Sequence, residues 1–229
     1  MNSGNLNAQY NLAKPDSLSI RVATKVRHDI FHMVSTEFGF TSADLVLDLG
    51  VTSDQSYTSS NYFEMLYPYK DKIVAAGIDD ARFLEDLYPG LRFVHADALD
   101  LPFEDGAFDY VHSSAVLEHV GCFENQRKMV AECARVARKG ICLTTPNRWF
   151  PVEFHTQLPL LHWLPKGWFR RILEGLGQTE LAMEENLNLM TEHDLRKAAA
   201  GVSGWSFRID EARVMGLRSN LVLFGRRDA

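Results

Sequence analysis

The most informative feature of the sequence is the segment 91–120, LRFVHADALDLPFEDGAFDYVHSSAVLEHV. It contains two short apolar runs, residues 91–95 and 108–113, and small or acidic residues follow each of them. This pattern predicts two neighbouring strands of an open parallel sheet, in which ligands bind beyond the carboxyl ends of the strands. Asp97, Ser113 and Ser114 therefore occupy positions where a nucleotide would lie.

The rest of the chain alternates strand-like runs with amphipathic stretches. Residues 45–50 form a continuous apolar run that ends in Asp-x-Gly, as expected of a strand buried on both faces. Apolar residues at four-residue spacing predict a long first helix. The predicted helices cover residues 19–38, 61–67, 81–88, 124–139 and 191–200, and the predicted strands cover 45–50, 72–78, 91–95, 108–113, 141–145, 205–209 and 220–224. This alternation predicts a doubly wound, mostly parallel α/β sheet with an antiparallel hairpin edge.

These elements predict one domain with three parts. Residues 1–40 form an N-terminal helical cap, residues 41–145 and 191–229 form the core, and residues 146–190 form an insertion that covers the substrate as a lid. Gly140 is expected to end the helix over 124–139. The spacing of Thr191 and Asp194 is that of a capping box, which predicts the start of the helix over 191–200.

Composition and charge restrict the class of protein. A formal net charge of −6 argues against a nucleic-acid binder, which needs a basic face for phosphate contacts. Cys122, Cys133 and Cys142 form no C-x-x-C pair, so we expect reduced thiols in a cytoplasmic protein, with the last two in the core. The first residues lack the apolar run of a secretion signal, and no stretch approaches the roughly 20 apolar residues of a membrane span. His28 and His32 lack a third ligand, so no metal site is predicted.

The motifs of the segment 91–120 resemble those of a known enzyme family. The order D-A-x-x-L-P-F, acidic-Gly, F-D-x-V-x-S and V-L-E-H-V resembles the class I S-adenosylmethionine (SAM) methyltransferases, and most closely the branch acting in ubiquinone and menaquinone biosynthesis. The resemblance covers residues 44–146. It implies a Rossmann-like fold, SAM as cofactor with S-adenosylhomocysteine as product, and in-line transfer of the sulfonium methyl group to an O, N or C nucleophile.

The resemblance also implies where the methionine half of the cofactor lies. Asp48 and Gly50 match the opening of the family's glycine-rich loop, in which glycine lets the backbone approach the ligand. The later glycine positions are Thr52 and Asp54, so the loop is not standard. This departure leaves open a second function, a catalytically silent methyltransferase-like scaffold.

The nucleoside half is expected at the other strand ends. In the family, an acidic residue after the second strand accepts hydrogen bonds from the ribose hydroxyls, here Asp79 or, one position later, Asp80. An Asp-Ala pair contacts the adenine edge, and serines at the end of the fourth strand line the floor. The corresponding residues are Asp97, Ala98, Ser113 and Ser114. A single Asp after a strand is more often the N-cap of the next helix, but three such strand ends in order favour a cofactor site.

Candidate catalytic residues lie beyond the fourth strand and in the insertion. His119, after Glu118, is the first candidate base, because the equivalent position in related enzymes faces the substrate. A histidine that only shapes the pocket is an equal alternative. His155 and Glu153, embedded among aromatic residues, are the second candidates. The predicted substrate-binding residues are Asn147, Arg148, Trp149, Phe154 and His162.

The aromatic insertion supports three interpretations. As a lid with apolar walls and a few polar groups, it favours a partly hydrophobic small molecule or a lipid-like acceptor. Alternatively, its aromatic residues pack as core or at a dimer interface. A third interpretation is a short interfacial helix within residues 158–173 that touches a membrane through Trp163, Lys166, Trp168, Arg170 and Arg171.

One other class of enzyme shares this kind of sheet. A nicotinamide-dependent oxidoreductase is disfavoured because no G-x-G-x-x-G opens the helix after the first strand. The sequence leaves the oligomeric state and the identity of the acceptor open.

Overall fold

The computed structural model describes residues 18–55 and 59–228, and the first 17 residues of the predicted cap lie outside them. In this part of the chain seven strands form one sheet in the order β3-β2-β1-β4-β5-β7-β6. The strands β1 to β5 pair in parallel, whereas β7 is antiparallel to both β5 and β6. The bounds are β1 Val46–Leu49, β2 Ile73–Gly77, β3 Arg92–His95, β4 Phe108–Ser114, β5 Ala137–Pro146, β6 Trp205–Val214 and β7 Leu217–Arg227. The predicted doubly wound sheet with an antiparallel edge is confirmed.

Helices cover both faces of this sheet. Successive side chains of a strand point to opposite faces, so Val46 packs with α1 and α2 while Leu47 packs with α4 and α7. The described helices are α1 Leu18–Phe38, α2 Tyr62–Leu66, α3 Phe83–Leu87, α4 Phe123–Val136, α5 Lys166–Gly175, α6 Thr179–Ala182 and α7 Glu192–Ala199. Cys133 and Cys142 are buried in these two apolar layers, as expected.

The end of α4 differs from the prediction. The helix stops at Val136 and β5 begins at the next residue, so Gly140 lies inside a strand and does not cap the helix. The extended backbone lets Lys139 reach the carboxylate of Asp44 at 2.6 Å. A Cβ atom on Gly140 would lie 2.9 Å from the ring of Phe38. Contacts between distant elements therefore decide this boundary.

The insertion after β5 has an apolar cluster of its own. It contains α5 and α6, whose buried side chains include Phe169, Leu173 and Leu181. The chain rejoins the core at α7, where the predicted capping box of Thr191 and Asp194 is present. None of the helices within residues 18–55 and 59–228 combines the length and the apolar character needed to cross a bilayer.

Candidate active site

A cavity of about 220 Å³ lies at the carboxyl edge of the sheet among the described residues. Helix α1 supplies an apolar wall that includes Val26 and Ile30. The opposite side is formed by Gly50 after β1, by Ser114 at the end of β4 and by Pro146 at the end of β5. Since Leu49 pairs with Ser113 in the parallel register, these strand ends lie side by side. The cavity is thus at the edge where ligands bind in sheets of this type.

Gly50 shapes the turn after β1. Its φ angle is +95°, and its N–H donates to the carbonyl of Ala76 at 2.7 Å. A Cβ atom at this position would lie 2.1 Å from the side chain of Val116. Both the backbone conformation and the close packing therefore require glycine here.

Asn61 organises the loop that lacks the later glycines. Its side-chain oxygen accepts from the N–H of Thr52, and its side-chain nitrogen donates to the carbonyl of Thr52, both at 3.0 Å. The Thr52 hydroxyl in turn accepts from the N–H of Asp54 at 3.0 Å. Side-chain hydrogen bonds hold this turn in place, and Thr52 and Asp54 line the cavity.

The acidic residues after β2 and β3 lie at the same edge as the cavity. Gly77 pairs with His95, so Asp79 and Asp97 each follow the paired position by two residues. Asp79 is half-buried, and burial raises the pKa of its carboxyl. Asp97 is exposed and accepts from the N–H of Leu99 at 2.8 Å. Asp80, the alternative to Asp79, is exposed and forms a salt bridge with Arg82 at 2.5 Å. Ala98 is buried beside Asp97.

Asp48 lies beneath the edge and outside the cavity lining. It is buried in a polar cluster with Tyr62, Glu64 and His112, which we call the Asp48 cluster. Burial raises the pKa of Asp48 to about 7 and lowers the pKa of His112 to about 4. Burial, reinforced by the neighbouring Asp48, also raises the pKa of Glu64 well above its usual value. Asp48 contacts Nδ1 of His112, whose Nε2 lies 3.0 Å from the Tyr62 hydroxyl. The cluster connects β1, β4 and α2 under the cavity.

The two serines of β4 have different environments. Ser113 is buried and donates to the carbonyl of Leu49 at 2.8 Å, so it ties β4 to β1 and does not line the cavity. Ser114, on the other face, does line it and lies 3.1 Å from the hydroxyl of Thr144. The alternation of side chains along a strand explains why only one of them faces the ligand side.

Arg27 brings a positive charge into the cavity. It projects from α1 and donates to the carbonyl and the hydroxyl oxygens of Ser59 at 2.9 and 3.0 Å. Burial lowers its pKa below the ordinary arginine value, and no carboxylate of the described residues forms an ion pair with it. A partly buried guanidinium without a counter-ion among the described residues favours an anionic ligand group.

Two histidines meet at the opposite side of the cavity. Nε2 of His119 lies 3.1 Å from Nε2 of His155, and both residues line the cavity. Nδ1 of His155 lies 2.7 Å from the buried carboxylate of Glu153. Burial opposes a charge on His155, but Glu153 outweighs it and raises the pKa of His155, while burial and the neighbouring His155 lower that of His119 to about 3. Burial likewise opposes the charge of Glu153, but His155 and backbone N–H groups lower its pKa to about 2.

Glu118 lies behind this pair and is fully buried. One carboxyl oxygen accepts from the Thr145 hydroxyl at 2.9 Å. The other, Oε1, has no hydrogen-bond partner among the described residues and lies 3.9 Å from Nε2 of His119. Burial raises the pKa of Glu118 to about 7. The first and second candidate catalytic groups of the sequence therefore form one constellation.

Most of the predicted substrate-binding residues lie elsewhere. Phe154 lines the cavity, but Asn147 is buried and bonds to the carbonyl of Arg218. Arg148 donates to the carbonyls of His162 and Leu164, which fastens the insertion to the strand end. Trp149 is 52% exposed, and His162 bonds to the carbonyl of Phe150 at 2.7 Å. Closeness in sequence to the strand end did not bring these four side chains to the cavity, because Asn147 bonds to β7 and the other three contact residues of the insertion.

Sequence reasoning missed Arg27 and three members of the Asp48 cluster. A signal was visible for Arg27, His112 and Glu64, but not for Tyr62. Arg27 follows Val26 directly in a helix whose apolar face is otherwise continuous, and His112 interrupts an apolar strand. Glu64 is a single acidic residue in the apolar sequence YFEML. Polar residues within apolar runs are buried only when they are hydrogen-bonded or functional.

The sheet order defines a Rossmann-like α/β protein, and its cavity lies at the carboxyl ends of the strands. Residues 60–144 match the family model described as a methyltransferase domain. Along 139 residues the chain is 30% identical to phthiotriol/phenolphthiotriol dimycocerosates methyltransferase 1 of Mycobacterium ulcerans, covering 59% of this chain and 49% of that protein. The chain thus spans about half the length of this relative.

Solved structures show the same fold. The chain superposes on magnesium protoporphyrin IX methyltransferase of Synechocystis with a TM-score of 0.58, 17% identity, and coverage of 97% of this chain and 92% of that one. A possible histamine N-methyltransferase of Thermotoga maritima gives a TM-score of 0.58 at 14% identity, covering 92% of each chain. These likenesses confirm the predicted Rossmann-like methyltransferase fold. The domain match supports the expected class of enzyme, a SAM-dependent methyltransferase.

Proposed function

We propose that this protein is a SAM-dependent methyltransferase whose acceptor is a partly hydrophobic small molecule or a lipid-like molecule with an O, N or C nucleophile. One observation carries the proposal. Gly50 and Ser114, at the carboxyl edge of the sheet, line the same cavity as His119 and His155. The match to a methyltransferase domain and the fold support it. So does the structure of the Synechocystis relative, which contains S-adenosylhomocysteine.

The residues at the edge fit the two ends of this cofactor. Asp79, half-buried after β2, would accept hydrogen bonds from the ribose diol, and Asp97 and Ala98 would contact the adenine. Arg27, which lines the cavity, would bind the carboxylate of the methionine half. The loop held by Asn61 takes the place of the usual glycines. When bound, SAM supplies an electrophilic methyl group on sulfur.

The acceptor side of the cavity is apolar with a small number of polar groups. Val26, Ile30 and Phe154 would contact the hydrophobic part of an acceptor, which fits a partly apolar molecule. His119 and His155 would hold its nucleophile in line with the methyl group. Such positioning is worth on the order of 7–11 kcal/mol at best. The carbon–sulfur bond breaks as the bond to the nucleophile forms, and any proton released passes towards the histidine pair.

Calorimetry with SAM and with S-adenosylhomocysteine tests the proposal directly. The Asp79→Ala variant should lose about 1.5–3 kcal/mol of binding free energy, a 10- to 150-fold weaker Kd, because a charge-assisted hydrogen bond is removed. Asp86→Ala, which removes an exposed carboxylate from the neighbouring helix α3, is the matched control. Loss of binding in Asp80→Ala and not in Asp79→Ala would move the ribose site one residue along the chain.

Two other functions are outcomes of the same experiment. If the wild-type protein binds neither SAM nor S-adenosylhomocysteine at millimolar concentration, the catalytically silent scaffold becomes the better interpretation. Binding of a nicotinamide nucleotide in their place would favour an oxidoreductase. A radiolabelled methyl group transferred from SAM to lipid extracts, but not to hydrophilic extracts, would support the acceptor class.

We extend the proposal in two ways. The enzyme would belong to the branch that acts in ubiquinone and menaquinone biosynthesis, and it would contact a membrane peripherally. Trp163, just before α5, is 41% exposed, and Trp168 on α5 is 66% exposed, while the adjacent Phe169 is buried in the cluster of the insertion. This arrangement would place aromatic side chains at a bilayer surface next to a lipid-like acceptor. The double variant Trp163→Ala/Trp168→Ala should reduce co-sedimentation with phospholipid vesicles. Equal sedimentation of both proteins would count against the membrane contact.

A further inference from the structure

His119 and His155 face each other with the same ring nitrogen. Nδ1 of His119 lies 2.5 Å from the carbonyl of Asn186, and a carbonyl only accepts, so this nitrogen carries the hydrogen. Nδ1 of His155 lies 2.7 Å from the Glu153 carboxylate, which also accepts. The two Nε2 atoms, 3.1 Å apart, therefore direct their lone pairs towards one another when both rings are neutral. Either a proton on one Nε2 atom or a cation between the two rings removes this repulsion.

A proton between the two rings would satisfy the histidines but not Glu118. Its Oε1 atom is buried without a hydrogen-bond partner among the described residues. Ligand atoms of Glu118, His119 and His155 all lie within 4.8 Å of one another. A buried carboxyl oxygen close to two imidazole nitrogens suits a group that accepts electron pairs from three ligand atoms at once, and a metal cation is such a group.

The distances suit a divalent transition metal. Two nitrogens about 2.05 Å from one ion and 3.1 Å from each other subtend about 98° at the ion, between tetrahedral and octahedral geometry. The separation of 3.9 Å between Glu118 Oε1 and His119 Nε2 would subtend about 144° at the same ion, so the Glu118 oxygen must move closer to His119 to reach a tetrahedral angle. A small rotation of the Glu118 carboxyl would bring its oxygen to the same ion.

The groups behind the two histidines are those that support metal ligands. A ligating histidine usually donates its second ring N–H to a backbone carbonyl or to a carboxylate. His119 donates to the carbonyl of Asn186, and His155 donates to Glu153. Glu153 is itself fixed by the N–H groups of His155 and Thr156. Both rings are therefore held in the tautomer that leaves Nε2 as the ligand.

We propose that Glu118, His119 and His155 form a binding site for a divalent transition-metal cation, with zinc as the best fit, at the wall of the cavity. Two histidines and one glutamate are a ligand set of catalytic zinc sites, which keep a position open. Here the open position faces the cavity that His119 and His155 line. The proposal replaces the sequence-based expectation of no metal site. Metal-bound His119 and His155 would not take a proton from an acceptor, so the two roles exclude each other, but the metal site itself does not depend on methyl transfer.

The test uses the full chain, freed of metal with a chelator and titrated with cobalt chloride. One Co²⁺ per chain should bind and give visible d–d absorption bands, and zinc chloride should displace it. His119→Ala and His155→Ala should each weaken binding by about 100-fold or more, and Glu153→Gln by about 10- to 100-fold, because it supports a ligand. Circular dichroism and thermal unfolding of each variant show whether it is folded.

His28→Ala/His32→Ala is the matched control, because these exposed histidines lie one turn apart on α1 and chelate metal adventitiously. The control should keep the cobalt bands. Cobalt binding that is lost only in this control, or that survives in folded His119→Ala and His155→Ala, would overturn the site. The absence of binding at millimolar cobalt would also overturn the site. A proton shared between the two histidines would then explain their contact. SAM binding measured in parallel separates this result from a failure of the proposed function.

Discussion

Arg27 offers the sharpest test of how the cavity binds its ligand. The proposed cofactor carries a carboxylate at its methionine end, and Arg27 is the cavity arginine that no described carboxylate neutralises. Replacing Arg27 by Met keeps the length and the apolar stem of the side chain while removing the guanidinium. The matched control is Arg21→Met, which removes an exposed guanidinium from the same helix.

The expected magnitude follows from the hydrogen bonds that Arg27 makes. Two of its contacts go to Ser59 and hold the guanidinium in the cavity. A charge-assisted hydrogen bond to the ligand carboxylate contributes about 1.5–3 kcal/mol, so Arg27→Met should weaken binding by about 10- to 150-fold. The free energy of unfolding should change little, because the lost bonds to Ser59 are offset by removal of a partly buried charge.

The assay compares two ligands by calorimetry. S-adenosylhomocysteine has the methionine-type carboxylate, whereas 5′-methylthioadenosine has the same nucleoside and sulfur but no carboxylate. Arg27→Met should weaken binding of the first ligand and leave the second within a few-fold of wild type. Arg21→Met should affect neither ligand.

An equal loss of affinity for both ligands would refute this reasoning. If Arg27→Met weakens both ligands equally, Arg27 acts through the structure of the cavity and not through the carboxylate. If neither ligand is affected and the protein still binds S-adenosylhomocysteine, Arg27 belongs to the acceptor side. Unfolding curves of the variant identify a simple loss of folding.

Two further predictions concern stability. Burial raises the pKa of Asp48 from 3.8 to about 7, so the folded state holds a proton that the unfolded state releases, and stability falls as pH rises from 4 to 7. Relative to Asp48→Asn, the wild-type free energy of unfolding in urea should drop by about 4 kcal/mol over this range, and parallel pH curves would contradict this. Gly50→Ala should lower the free energy of unfolding by about 2–6 kcal/mol through backbone strain and the clash with Val116. Gly167→Ala has open space around its Cα and should stabilise α5 by about 0.5–1 kcal/mol. Thermal unfolding of both variants checks this, and equal effects would contradict it.

The sequence predicted most elements because their signals are local. The long helix α1 followed from apolar residues four positions apart, of which Val26, Ile30 and Val34 are buried. The capping box at Thr191 required only residues three positions apart. The end of α4 was placed wrongly because Gly140 is a good helix end locally, whereas its contacts with Phe38 and the neighbouring strands favour β5.

The sequence predicted the part of the candidate site that depends only on the order of the strands. The carboxyl ends of parallel strands share one edge, so Asp79, Asp97 and Ser114 were expected together from their order alone, and of these Ser114 lines the cavity. The substrate-binding prediction for Asn147, Arg148, Trp149 and His162 depended on where a long insertion folds. Its own apolar cluster decided that, and Phe154 alone of the five faces the cavity.

The sequence by itself determined the order of strands and helices and the chemical character of each strand end. Only the tertiary structure decided which side chains meet across large sequence separations. His119 and His155 are 36 positions apart, yet their nitrogens lie 3.1 Å from one another. Arg27 reaches the cavity from a helix that precedes the first strand. Local patterns set hydrogen bonds and buried faces, whereas the balance of packing over the whole chain sets the distances on which binding and catalysis depend.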